Sequence, residues 1–523
     1  MNSIETTLIV AVGLIICAAS VPAVGRGAPP AKASNRAVTF AKDVAPILYD
    51  KCSRCHHEGE VAPFSLVTYD DAKGKAKTIA AVASQRFMPP WQAISHGEFV
   101  NERTLTADQI DTLKAWAEQG APEGNPSDIP TPPKFGAGWQ LGTPDFIGKP
   151  AKSYAVGAEG DDLYRCFIVP TNFDSGRFVT GVEVRPGNRR IVHHVIAYLD
   201  TSGAARARDG EDGAPGFTSF GGPGFQPSGA LGGWVPGIDA QITPTGVGIW
   251  LPKGADIVMQ VHYHRDGKSE VDDTQIGLTF SKAPVDKRIR NAALGNPFIA
   301  ISPGDAHYEL KAALTIPADM TVYDVLPHMH WLGHDMTVTA TLPDGRTEQL
   351  VKVEPYDFNW QTRYTYREPL KLPKGTKLNL ISHYDNSTAN IHNPNNPPKR
   401  VTFGEQTTNE MCFAFFSYTL DSEHITKGAA VQGAGFGAAG ADQIVDQIFE
   451  RFDANHDGFL DEKELAAAIK FFKPSTGAGA NIDPAVTAKF LLGLYDKDRD
   501  GKLNRAEFGA LAQGLQRQVG KKS

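Results

Sequence analysis

The sequence predicts a multidomain protein: a small all-α unit, two all-β, jelly-roll-like sandwiches, and a closing all-α pair of helical hairpins. Three observations predict it. At 523 residues the chain is too long for one hydrophobic core, and two to four domains are expected. Helical periodicity dominates residues 36–122 and 442–515, whereas residues 146–422 break into short alternating runs between Gly, Pro and Asp turns. Stretches rich in Pro, Gly and Ala at 123–145 and 425–441 read as the linkers between these regions.

Ahead of the first unit, "TLIVAVGLIICAASVPAVG" is an apolar run followed by small residues. Residues 1–25 read as a secretory signal, although Glu5 and the lack of Lys or Arg are atypical. The alternative is an uncleaved membrane anchor. Both readings place the rest of the chain outside the cytoplasm, periplasmic or extracellular. No later stretch is apolar enough to span a bilayer. Net charge is −7 with no basic block, so nucleic acid is not an expected partner. The five cysteines do not suggest a disulfide scaffold: Cys17 lies in the signal, Cys52 and Cys55 are paired, and Cys166 and Cys412 are isolated.

In the first unit, Val44, Ile47 and Leu48 recur at helical spacing. "TADQIDTLKAWAEQGAP" is a complete helix signal. Thr106 and Gln109 form a capping box, Ile110, Leu113 and Ala117 the buried stripe, and Gly120 and Pro122 the stop. Between these segments, "CSRCH" is C-x-x-C-H: Cys52, Cys55 and His56. Two thiols at this spacing can form thioethers with haem vinyl groups, and the adjacent His then faces the iron. One covalent haem c is expected. Its sixth ligand is assigned to Met88 in "RFMPPW", with His57 and His96 as rivals. The segment resembles short cytochrome c domains with an M-P-P-W motif.

The middle region contains "FVTGVEVRP", "IVHHVIAYLD", "DIVMQVHYH", "MTVTATLPDG" and "KLNLISHYD". A break in the strand pattern at 285–300 divides it into sandwiches at 146–285 and 295–422.

The last unit holds two twelve-residue loops. One offers Asp453, Asn455, Asp457, Phe459, Asp461 and Glu464; the other offers Asp496, Asp498, Asp500, Lys502, Asn504 and Glu507. Positions 1, 3 and 5 supply side-chain oxygens, position 7 a backbone carbonyl, and position 12 a bidentate Glu. Gly458 and Gly501 permit the turn. An EF-hand pair with two structural calcium ions is expected.

Between the haem motif and the calcium loops, "LPHMHWLGHDM" mixes imidazole and thioether, a ligand set suited to copper. On a strand His328 and His330 share one face and Met329 points the other way. Further candidates are His193, His194, His262, His264 and Met411. His-His after a strand, V-H-Y, H-x-H followed by L-G, and E-M-C resemble the copper type II ascorbate-dependent monooxygenases. The resemblance covers residues 150–422. It implies one copper on His193, His194 and His262, which relays electrons. It implies a second on His328, His330 and Met411, the catalytic set, which binds dioxygen. His264 and His334 are then supporting or surface residues and Tyr263 packs. Amidating members carry an Arg where this chain has Leu326, and polar residues where it has Phe413 and Phe415. A buried carboxylate is poorly served there, which points to a more apolar organic substrate. Cys412 lacks the Cys that the family pairs with it, near Ser382.

These expectations combine into an exported two-copper monooxygenase that hydroxylates a small molecule with O2. Its electrons come through the fused haem from an external donor. The competing expectation is a non-catalytic haem and copper electron-transfer protein stabilised by calcium.

Overall fold

The computed structural model describes residues 37–511, apart from Gly59, Val61, 135–137, 220–221, Gly237, Glu405, 431–444, Asp446 and 473–482. The expected signal or anchor, with Cys17, lies outside the described residues. Among the described residues no helix is long and apolar enough to cross a membrane.

The first unit is helical but built of short pieces: Phe40–Val44, Ala45–Lys51, Tyr69–Lys73, Ala76–Ser84 and Ala107–Glu118. Thr106 caps the last of these by accepting from the Gln109 N–H, and the Gln109 side chain accepts from the Thr106 N–H at 2.9 Å. Phe40, Val44, Leu48, Leu66, Leu113 and Trp116 form a core of its own. The unit is not self-contained, however. Residues 91–103 leave it and join the second sandwich. Ile94 N–H donates to Lys352 O and Val100 N–H to Thr365 O, both at 2.8 Å. Ala93 and Phe99 are buried in that sandwich's core. The Pro-rich segment after residue 122 is likewise no free tether. Pro126–Asp128 forms a 3-10 turn, and the Arg185 guanidinium lies over the Trp139 ring.

Two antiparallel sandwiches follow. In the first, one sheet runs Phe217–Thr218, Leu163–Pro170, Asp256–Tyr263, Val192–Asp200, Gly229–Trp234. The facing sheet is centred on Arg177–Arg185 and Gln275–Phe280. Val195, Ala197, Leu199, Ile257 and Val261 meet Val179, Val182 and Val184 between the sheets. In the second sandwich, Arg290–Gly295, Phe413–Leu420, Met320–His328 and Tyr364–Leu372 form one sheet. The other is formed by Tyr308–Thr315, Lys377–Tyr384, Gly333–Thr341 and Thr347–Val353. The first sandwich therefore carries His193, His194 and His262 on two adjacent strands, and the second places His328, His330 and Met411 at the ends of two adjacent, central strands.

Between 285 and 300 the chain passes from one sandwich to the other, Lys287–Arg288 pairing in the first, but the segment is not strand-free. Arg290–Gly295 is an edge strand of the second sandwich, paired from Arg290↔Tyr418 to Gly295↔Phe413. Its local sequence is Gly- and Ala-rich, but cross-strand partners override that weak preference.

The C-terminal helices close on Val445, Ile448, Phe449, Leu465, Leu492 and Phe508. Phe298, from the loop after Arg290–Gly295, enters the same cluster. Gln447 Nε2 donates to Gly295 O at 3.1 Å. The helical pair is thus packed on the second sandwich.

Candidate metal centres

His193 and His194 are neighbours on one strand and should point to opposite faces. A β-bulge brings them together. His262 pairs with His194, Tyr263 pairs with Val192, and His193 is the extra residue between. His193 Nδ1 and His262 Nδ1 each lie 3.3 Å from His194 Nδ1. The three ligand atoms all fall within 4.8 Å of one another. His262 Nε2 bonds Asp162 Oδ2 at 2.9 Å, leaving Nδ1 for the cluster. Tyr164 stacks on the His262 ring at 4.2 Å. Burial, reinforced by the neighbouring imidazoles, lowers His193 to about 3 and His194 well below its ordinary value. Burial opposes ionisation of Asp162, but hydrogen bonds from His262 and His264 outweigh it and hold the carboxyl well below the usual range. His264 is exposed and reaches the cluster only through Asp162, at 3.0 Å.

His328 ends the strand Met320–His328, His330 follows it, and Met411 precedes Phe413–Leu420. His328 Nε2 lies 3.3 Å from Met411 Sδ. Its Nδ1 meets Gln361 Oε1 at 2.8 Å, and His330 Nδ1 meets Asn409 O at 3.1 Å. Both rings therefore keep Nε2 free toward the thioether side, the orientation that a supporting hydrogen bond gives a metal-binding imidazole. Burial lowers His328 to about 4 and His330 to about 3. Met329 turns into the core. Glu410 is buried, and its carboxylate accepts from the backbone N–H groups of His330, Leu332 and Met411 at 2.7–3.1 Å. It ties both ligand segments together. His334 is on the surface, on Asp335. Cys412 is a free, buried thiol, 3.2 Å from Ser382 Oγ, and Cys166 is also free and buried.

The two clusters face one cavity of about 420 Å³, lined by His193, His194, His262, His328, His330 and Met411. Phe358 stands between them, 5.1 Å from the His193 ring and 5.4 Å from the His330 ring. Leu326, Phe415 and Phe416 form an apolar wall. Sequence reading missed Asp162, Phe358 and Gln361, and it read Glu410 only as the first letter of E-M-C, with no role of its own. The signal at Glu410 was its place next to Met411, where a polar run gives way to an apolar strand.

Cys52 and Cys55 are free thiols on one helical turn. His56 Nδ1 meets Phe64 O at 3.1 Å, which leaves Nε2 uncommitted, and burial lowers its pKa. These three residues fit a covalent haem. The rival His57 has its Nδ1 on Ser53 O at 2.8 Å, His96 is exposed, and Met88 is half-buried. The unit docks on the first sandwich. Arg189 bonds Glu60, Arg54 Nε bonds Asp239 at 2.9 Å, and Asn101 Nδ2 bonds Asp239 at 3.1 Å. A groove of about 1430 Å³ at this junction is lined by Cys55, Trp139 and Trp234. Trp234 also lines the histidine pocket.

In the helical pair, Phe459–Leu460 and Leu503–Asn504 join as a two-stranded ladder between the loops. Gly458 N–H donates to Asp453 and Gly501 N–H to Asp496, at 2.8 and 2.9 Å. Glu464 and Glu507 turn inward to accept from backbone N–H groups of their own loops. The carboxylates of Asp496, Asp498 and Asp500 lie within 4.8 Å of one another, close enough to hold a cation together.

Residues 294–429 match the copper type II ascorbate-dependent monooxygenase C-terminal domain. Residues 442–513 match the EF-hand domain pair. Copper is implied for the first and calcium for the second. The chain is also 34% identical over 70 residues to parvalbumin alpha from Triakis semifasciata, a match that covers 13% of this chain and 61% of that protein. Overlaps with solved structures are slight. A putative secreted protein from Eubacterium rectale overlaps at TM-score 0.17 and 8% identity, covering 62% of this chain and 78% of that one. The infectious bursal disease virus VP2 subviral particle overlaps at TM-score 0.14 and 9% identity, covering 58% and 87%.

Proposed function

We propose that the chain is an exported two-copper monooxygenase with a built-in c-type haem and a structural calcium-binding pair. The observation that carries this reading is the single pocket on which both ligand sets open. His193, His194 and His262 would hold one copper through Nδ1. His328 and His330, through Nε2, and Met411, through Sδ, would hold the other. When bound, the two copper ions supply C–H hydroxylation: one atom of O2 enters the substrate, the other leaves as water, and two electrons and two protons are consumed.

The chain's own residues set the geometry for that chemistry. Asp162 fixes the tautomer of His262, and Gln361 and Asn409 O fix His328 and His330. Thioether ligation at Met411 favours Cu(I). Leu326 and Phe415 offer an apolar surface to the substrate body, and Phe358 keeps the two clusters apart. Cys52, Cys55 and His56 would hold the haem, with Met88 as sixth ligand. Such a haem supplies electrons singly from an external donor. The docked position of its unit, beside Trp234, supports this role. Periplasmic or extracellular location belongs to the same proposal, because c-type haem is attached outside the cytoplasm.

The test is metal analysis joined to oxygen uptake. About two copper ions per chain are expected from the two ligand sets. His193→Ala should remove one and His328→Ala the other, and oxygen uptake on adding substrate should vanish in both. A chain that binds no copper overturns the proposal. One that binds both ions but never consumes oxygen is an electron-transfer protein.

A further inference from the structure

The shared pocket has a third chemical region, used by neither histidine cluster. Asp324, Leu326 and His328 lie on one face of their strand, while Val325 and Met329 enter the core behind. Pairing sets Ser417 opposite Asp324, Phe415 opposite Leu326 and Phe413 opposite His328. Arg363 reaches the same end of the face. Its Nη1 donates to Asp324 Oδ1 at 2.8 Å and to Ser417 Oγ at 3.2 Å. Ser417 Oγ in turn donates to Asn291 Oδ1 at 3.3 Å. Arg363 and Asn291 both line the pocket. Arg363 Nε is buried without a partner among the described residues, and the only bonds of the guanidinium there run through Nη1. A guanidinium has five N–H donors, and leaving buried donors unsatisfied is costly. Nη2 makes no bond among the described residues and is not among the buried, unpartnered atoms, so on this pocket-lining residue it is the donor that a ligand can reach.

We propose that the Arg363–Asp324–Ser417–Asn291 cluster receives a neutral hydrogen-bond acceptor, such as an amide, ester or ether oxygen, at the far end of an apolar substrate. The inference rests on reading the pocket as a monooxygenase site and deepens it. Asp324 already balances the Arg363 charge. A substrate carboxylate would bring a second, unpaired anion beside Asp324, whereas a neutral oxygen accepts from Arg363 without adding charge. His328 lies four steps along the strand from Asp324, about 13 Å at roughly 3.3 Å per residue. Leu326 and Phe415 line the interval. The substrate is therefore an elongated amphiphile, with an apolar body on the order of 10 Å long between its polar head and the carbon presented at His328 and Met411. This refines the more apolar substrate that Leu326, Phe413 and Phe415 suggest in the sequence, by adding a polar head.

The test uses the full chain and three probes of one shape: γ-phenylbutyramide, γ-phenylbutyrate and butylbenzene. Binding is followed by titration calorimetry, with copper content measured on the same samples. The amide should bind about tenfold tighter than the hydrocarbon, and tighter than the carboxylate. Arg363→Met should reduce amide affinity to the hydrocarbon's level without changing copper content. Asp324→Asn should shift preference toward the carboxylate. Equal affinities for all three probes in the parent protein, or a preference for the carboxylate, would overturn the inference even if neither variant folds. Amide preference retained in a protein that takes up no copper would overturn the monooxygenase reading and leave the head-group site standing.

Discussion

The His193 imidazole stacks on the Phe358 ring, with 5.1 Å between centroids and 21° between planes. The two residues belong to different sandwiches, so this contact holds the pocket closed across the domain junction. The same ring meets His330 and Trp331 at 5.4 and 4.9 Å. Phe358→Ala should destabilise the protein by about 3 kcal/mol, as large-to-small changes at buried aromatics do. It should also loosen the spacing of the clusters. Pulsed dipolar spectroscopy of the copper-loaded protein should show a broader copper–copper distance distribution. An unchanged distribution would mean that the sandwich junction, not this ring, sets the separation.

Met411→Ile tests the second centre. The thioether sits 3.3 Å from His328 Nε2, with its backbone carbonyl held by Tyr384 Oη at 2.8 Å. The substitution nearly conserves volume, so fold and haem absorbance should persist. Oxygen-dependent turnover should be lost, while copper remains at His193, His194 and His262. Normal turnover in this variant would remove Met411 from the site.

What the sequence made legible divides by distance along the chain. The C-x-x-C-H motif and the two EF-hand loops carry all their groups within five and twelve residues, so spacing alone singled out Cys52, Cys55 and His56 as candidates and the run from Asp453 to Glu464 as a loop of the EF-hand pair. The candidate copper ligands come from four strand ends. They were legible as residue types, but their convergence depends on the bulge at His193 and on closure of the sandwiches. Asp162, Gln361 and Phe358 reach the site only through tertiary contact, and nothing local distinguishes them. The strand Arg290–Gly295 was missed for the same reason.

The helical pair is packed on the second sandwich through Phe298 and Gly295, so the Gly/Ala composition of the linker does not make it a separate body. Phe298 is 2% exposed within the helical pair's core and follows Asn296, whose N–H donates to Cys412 O at 3.0 Å. Met411 is the next residue along. Glu464→Gln with Glu507→Gln should weaken calcium binding and melt the helical pair. Uncovering Phe298 should then cost the second sandwich about 2 kcal/mol. Differential scanning calorimetry with and without a chelator should show the sandwich transition moving down. An unmoved transition would restore the independent reading.

Glu423 gives the acid response a specific origin. It is fully buried, and accepts from the Arg288 N–H and from the Arg288 and Arg290 guanidinium groups at 2.8–3.0 Å. Burial alone would raise its carboxyl. The hydrogen bonds from Arg290 and Arg288 outweigh that and hold it down to about 2, against an ordinary 4.5. A depressed acid stabilises the fold above its unfolded pKa, and that contribution is lost as pH falls through the folded value. The contribution is about 3 kcal/mol, fully present above pH 4.5 and gone near pH 2. Glu423→Gln should lower the unfolding temperature at pH 7 and flatten its decline between those limits. A variant with the parent's acid slope would assign the loss to other carboxylates.

The last prediction concerns electron supply. The helical unit is docked through Glu60, Arg54 and Asn101 rather than swinging on its linker, and Trp234 walls both the groove at Cys55 and the histidine pocket. Electron transfer from haem to copper should therefore be intramolecular. With the haem reduced anaerobically and the copper oxidised, haem absorbance should decay in first order, at a rate independent of protein concentration. Trp234→Leu should slow the decay, because an aromatic wall between the two cavities is replaced by a smaller aliphatic one. Met411→Ile should leave the first electron unaffected, since that side chain belongs to the cluster farther along the route. Copper content and haem absorbance, measured on each variant, separate a slowed transfer from a lost cofactor. If the haem stays reduced while ascorbate alone sustains turnover, the cytochrome-like unit serves another acceptor.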